Sequence, residues 1–181
     1  MGIEFGMSLH SIADAAGNAR RLEALGYDYA GCGEHVSFHR ETSNSFISLA
    51  AAAGATQHIK LISAIVLLPL YPATLAAKLA ATLDVVSGGR YHMGIGIGGE
   101  MPREFEACGV PVSERGARVN EALPIIRRLL SGETVTAAGR FNTLNGVLLQ
   151  PRAIQQPLPI WVSGRQDAAM RRAARFGDGW M

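Results

Sequence analysis

Cysteine is nearly absent: the 181 residues hold two, Cys32 and Cys108. So sparse a pair makes no disulfide framework, which excludes the small stapled scaffolds of secreted proteins and fits a reducing cytoplasm. Charge of one sign is missing too. The formal net charge is +2, the charges are interspersed and no basic run stands out, so no nucleic-acid partner is expected. The first residues, MGIEFGMSLH, carry Glu4 and no basic lead-in, so they do not read as a secretory leader. No apolar run is long enough to cross a bilayer, and no membrane partner is expected: residues 61–81 come closest, but Pro69, Pro72 and Lys78 break them. Metal-ligand spacing is also lacking. His35 and His39 stand four apart in a loop, His10 is isolated, and no His-x-His occurs, so no metal site is expected.

What is present is a 48% hydrophobic chain suited to one ordinary domain over 1–181. Residues 3–9 read as a short buried strand. Ser11 opens a helix with Asp14 in a capping-box position, and Gly26 ends it. Strands follow at 27–33, 59–67, 90–97 and 157–164, with helices at 45–57, 73–86, 114–131 and 166–176. Pro72 sits near the start of its helix, while Pro124 lies inside another and should kink it. Residues 134–150 break the rhythm as an inserted β-hairpin. The final DGWM begins a sixth strand. Alternating strands and helices mean an α/β fold with parallel strands.

The stretch RYHMGIGIGGE contains G-x-G-x-x-G at Gly94, Gly96 and Gly99. A dinucleotide-binding turn belongs after the first strand of its unit, with an acidic residue about 20 positions on at a strand end. Here three β-α units come first, and the counted residue, Glu114, lies at a helix start. The pattern therefore reads as a strand. Its glycines Gly94, Gly96 and Gly98 share one side and leave room either for a flat ligand or for tight packing.

The run LDVVSGGRYHMGIGIGGEMPREFEACG, with GYDYAGCGEHV, FNTLNGVLLQPRAIQQPLPIWVSG and AARFGDGW, resembles the luciferase-like monooxygenase superfamily. The likeness is greatest to bacterial oxidoreductases that use the deazaflavin F420. The resemblance covers nearly the whole chain. It implies a TIM-type (β/α)8 barrel, here incomplete at about six β-α units, and F420 or alternatively FMN at the mouth. It also implies redox chemistry on a small-molecule substrate, and leaves room for a separate cofactor reductase. Open sheet edges predict a homo-oligomer, a dimer. Two rivals remain: a metal-dependent barrel hydrolase or isomerase, and a flavin-binding remnant without catalysis.

Chemistry in such barrels sits at the C-terminal strand ends. That rule selects Glu34 and His35, Ser63 and Ala64, Gly98, Gly99 and Glu100, and Ser163, Gly164 and Arg165. Histidine titrates near neutrality and moves protons; the resemblance places His35 beside the cofactor ring and suggests Glu100 as an acid. It also implies a bulge with a non-prolyl cis peptide at Ser63–Ala64 behind the ring. Ser163–Gly164–Arg165 precedes a helix, where N–H groups and a guanidinium suit a cofactor phosphate. Glu34, Gly98 and Gly99 complete the expected cofactor contacts.

Overall fold

The computed structural model describes residues 2–10 and 12–181. Six parallel strands follow one another across a single sheet in the order β1 (Gly6–Ser8), β2 (Tyr29–Cys32), β3 (Lys60–Ser63), β5 (Tyr91–Gly96), β8 (Ile160–Val162) and β9 (Gly179–Trp180). The short β4 (Val66–Leu67) pairs with the upper half of β5. Helices α1 (Ala15–Ala24), α2 (Ser45–Ala55), α3 (Ala73–Ser87), α5 (Arg115–Leu130) and α6 (Asp167–Phe176) make the crossovers. The hairpin β6 (Val135–Ala138) and β7 (Thr143–Val147) is antiparallel and separate. The arrangement is the curled parallel half-barrel expected of an incomplete TIM-type fold.

Several expected boundaries move, each for a local reason. The first helix starts at Ala15, because Asp14 is its N-cap and accepts from the Gly17 N–H at 2.9 Å; Ser11 lies outside the described residues. The strand expected over 59–67 splits around a cis peptide at Ala64–Ile65. This bond falls one residue beyond Ser63–Ala64. Ser63 is still paired with Cys32, and the Ala64 N–H donates to the Cys32 carbonyl at 2.8 Å, so the ladder holds the chain until Ala64. A helix that the sequence reading left out, α4 (Pro102–Ala107), fills the connection after β5. Pro124 lies within α5 on its exposed side, where water can satisfy the carbonyl it frees.

The core lies between the sheet and its helices. Tyr91, Met93 and Ile95 of β5 are fully buried against that layer. Small residues of α2 and α3 (Ala52, Ala76, Ala77 and Ala80 among them) are buried too, letting these helices approach closely. Arg90 joins the lower ends of three elements. It donates to the carbonyls of Ala53 (3.0 Å), Ile59 (2.9 Å) and Ser87 (2.6 Å). Asp84, with no exposed surface, accepts from the N–H groups of Ile154 (2.7 Å) and Gln155 (2.9 Å), fixing the approach to β8.

Among the alternate glycines of β5, Gly94 and Gly96 admit close packing. A Cβ on Gly94 would lie 1.8 Å from the Ser63 carbonyl oxygen, and one on Gly96 would lie 2.5 Å from the Ile65 side chain. The irregular β3–β4 segment presses on β5 at Gly94 and Gly96, while Gly96 and Gly98 also border a cavity, so both uses the sequence left open are present. Gly94→Ala meets the Ser63 backbone, a clash that moving the flexible Met181 side chain, 2.6 Å away, does not relieve. It should cost at least the roughly 1–3 kcal/mol of an overpacked core, read as a lowered midpoint in urea unfolding.

Candidate functional site

A cavity of about 690 Å³ opens at the C-terminal ends of the strands. Its floor is small and apolar, from Gly33, Ala64, Ile65 and Gly96. Its rim carries His10, Phe38, Arg40 and Glu100. Volume and lining suit a planar organic ring with polar substituents.

His35 stands at this rim, just beyond β2. Its Nδ1 lies 3.2 Å from both carboxylate oxygens of Glu104, which has no exposed surface. Glu104 Oε2 also accepts from the Val36 N–H at 3.1 Å. A carboxylate only accepts, so Nδ1 carries the proton of that bond and Nε2 is the free nitrogen; no protein group among the described residues bonds it. Phe38 stacks on the His35 ring with centroids 4.1 Å apart and planes 7° from parallel. The imidazole is thus fixed in tautomer by Glu104 and in orientation by Phe38.

Glu104 is the partner of His35 that the sequence alone does not reveal. It occupies the third position of α4, one turn after Glu100. A proline followed by an acid in a first turn was the available signal for that helix. Glu100 itself is exposed at the cavity mouth.

Glu34 borders the cavity, but its carboxylate is spent inside the protein. Oε1 accepts from the Leu67 N–H (2.9 Å), and Oε2 from the Ser45 N–H (3.1 Å), the Asn44 amide (3.2 Å) and the Tyr71 hydroxyl (3.2 Å). Burial raises its pKa above the ordinary carboxylate value, outweighing the hydrogen bonds from Leu67, Ser45 and Tyr71. Glu34 therefore staples β2, α2 and β4 together beneath the site. Burial likewise pushes up the Cys32 thiol, which donates to the Gly33 carbonyl at 3.3 Å, so this cavity-lining sulfur is a poor nucleophile.

The remaining expected residues divide. Ala64, Gly98, Ser163 and Gly164 line the cavity with His35, Glu34 and Glu100. Ser63 does not: it is buried, its hydroxyl paired with the Tyr91 hydroxyl at 2.7 Å. Gly99 turns away against Arg115, and Arg165 is exposed outside the cavity. The N–H groups of Ser163 and Gly164 are already engaged, donating to the carbonyls of Ile95 (2.8 Å) and Met181 (3.1 Å). Pairing with Ile95 and Met181 thus occupies these two amides, while the first turn of α6, which has no side-chain cap, keeps the helix-start N–H groups. Among the described residues no cluster of three or more His, Cys, Asp or Glu could hold a metal ion, and no helix is long and apolar enough to cross a membrane.

Comparison with known proteins agrees with the geometry. The family described as luciferase-like monooxygenase matches residues 4–181. The chain is 31% identical over 168 residues to the F420-dependent glucose-6-phosphate dehydrogenase of Beutenbergia cavernae, covering 88% of this chain and 49% of that protein. The crystal structure of the monooxygenase RslO1 from Streptomyces bottropensis superposes with a TM-score of 0.86 at 31% identity, over 99% of this chain and 59% of that one. The oxygenating constituent of 3,6-diketocamphane monooxygenase from Pseudomonas putida, in complex with FMN, shares the fold with a TM-score of 0.81 at 22% identity, over 99% of this chain and 57% of that one. The chain spans about half the length of the curated relatives it matches.

Proposed function

Since the chain belongs to the luciferase-like monooxygenase family, we propose that its cavity cradles the ring of a flavin or deazaflavin, F420 in preference to FMN, for redox chemistry on a small organic substrate. The observation that carries this reading is the convergence of the ends of β1, β2, β3, β5 and β8 on one apolar-floored cavity with an oriented histidine at its rim. The relative from Beutenbergia cavernae, named as F420-dependent, supports F420. The bound cofactor would supply hydride transfer from its central ring.

The chain's own residues supply the surroundings of that chemistry. Ala64, Ile65 and Gly96 make a floor against which a flat ring can lie without polar competition. Ile97 and Leu67 exclude water from one side. His35 Nε2 is placed to give or take a proton, while Glu104 stabilises the imidazolium that forms when Nε2 takes one. A homodimer and a separate cofactor reductase belong to the same reading.

The test is parallel titration with F420 and FMN, followed by visible absorbance. A saturable spectral change with F420 at lower concentration than with FMN is expected. Tighter FMN binding would reassign the cofactor, and no change with either would overturn the reading of the cavity.

A further inference from the structure

The cavity has a side recess that its apolar floor does not use. Side chains alternate between the two faces of a sheet along β2. Gly33 faces the inner side, where a Cβ would lie 2.8 Å from the Ala64 carbonyl oxygen. Cys32 faces the other way, toward α2, and its sulfur sits beside the hydroxyls of Ser43 and Ser48. Cys32 and Ser48 are buried, yet all three residues line the cavity. A flat ring lying on the floor leaves this recess to another chemical group.

The protons of the recess are already committed. The Ser43 hydroxyl donates to the Asn44 carbonyl at 3.0 Å, and the Cys32 thiol to the Gly33 carbonyl at 3.3 Å. Carbonyl oxygens only accept, so both directions are fixed. Ser43 and Ser48 bond to each other through their hydroxyls, and with the Ser43 proton spent it is Ser48 that donates. What remains for a ligand is therefore lone pairs, on the two serine oxygens and, more weakly, on the Cys32 sulfur. Burial is the main cause that raises the Cys32 thiol, and the Glu34 carboxylate nearby pushes the same way. A negative charge at this distance favours a donor over an acceptor in the recess.

We propose that the recess of Cys32, Ser43 and Ser48 is a substrate subsite that accepts a hydrogen bond from a hydroxyl group. The small organic substrate thus carries an alcohol that anchors it here, and no bond to that hydroxyl need break. The substrate role rests on the function proposed above; the selectivity for a donor does not.

The test follows the backbone amides of Ser43 and Ser48 by NMR while the protein, alone and saturated with F420 or FMN, is titrated with cyclohexanol and with cyclohexanone. The two probes match in size, but only the alcohol donates. Saturable shifts at Ser43 and Ser48 are expected with cyclohexanol, at a concentration about fivefold to tenfold lower than with cyclohexanone, the worth of one neutral hydrogen bond. Ser48→Ala should narrow that preference. Alanine suits the interior of α2, and the wild-type contrast between the probes holds independently of the variant. Selective alcohol shifts in a protein that binds neither F420 nor FMN would keep the subsite and overturn the cofactor reading. Cofactor shifts at Ala64 and Ile65, with no alcohol response at Ser43 and Ser48, would overturn the subsite alone. Equal binding of the two probes, or an unchanged preference in Ser48→Ala, would overturn it as well.

Discussion

Alanine in place of His35 should lower turnover of the cofactor-loaded protein by about 10²–10⁴-fold, the usual contribution of a positioned acid or base, while the cofactor still binds. The expectation rests on the pairing of Nδ1 with the fully buried Glu104, which leaves Nε2 at the cavity rim. Glu104→Gln sharpens it. Glutamine fills the same space but carries no charge to stabilise an imidazolium, and its amide can turn a donor toward Nδ1. Turnover should fall, by about tenfold or more. Steady-state kinetics beside a cofactor titration separates this from simple unfolding. Unchanged turnover in both variants would remove His35 from proton handling.

The second large effect concerns stability. Glu34→Ala should cost several kcal/mol, since each buried donor left unpaired costs about 1–3 kcal/mol, measured by urea unfolding near neutral pH. The change strands the buried donors on Leu67, Ser45 and Tyr71 and unfastens α2 and β4 from β2 at once. Its pH dependence has a definite sign. Burial raises the folded-state pKa of Glu34, so the folded protein holds this proton more tightly than the unfolded chain. The associated stability is fully present below the ordinary carboxylate value and is lost as pH rises through the raised one. Glu34→Gln should remove that dependence.

Glu121 behaves in the opposite way. Slight burial pushes its pKa up, but hydrogen bonds from Asn142, Phe141 and Arg140 outweigh this and hold it below the ordinary value. Its contribution to anchoring the hairpin is therefore present above the ordinary carboxylate value and lost as pH falls through the lowered one. Glu121→Gln should flatten that acid-side loss, seen in thermal melts between neutral pH and the acid range.

Much of the architecture was legible because periodicity and glycine placement are local signals. The continuous apolar strands, the αL glycine Gly88 at the end of α3 and the hairpin all lie close to where the sequence put them. The site was legible at His35, since a histidine just past a parallel strand end has one natural direction to face. Glu104 was not, because its role depends on α4 folding back toward β2 across 69 residues of sequence. The same limit explains Glu34, Ser163 and Gly164. Sequence placed them at strand ends, but only tertiary contacts show that a carboxylate is consumed by Leu67 and Ser45, or an amide by Met181. The glycines of β5 were ambiguous for a related reason: the chain they admit comes from the break at Ala64–Ile65, on a different strand.

The position of a bound planar cofactor is the central question for this cavity. Backbone amide shifts of the protein saturated with F420 or FMN test this directly. The largest changes should cluster at His35, Val36, Ala64, Ile65, Ile97 and Ser163, around the cavity. Changes concentrated instead at Lys60, His92 and Ala153, at the opposite ends of the strands, would contradict it.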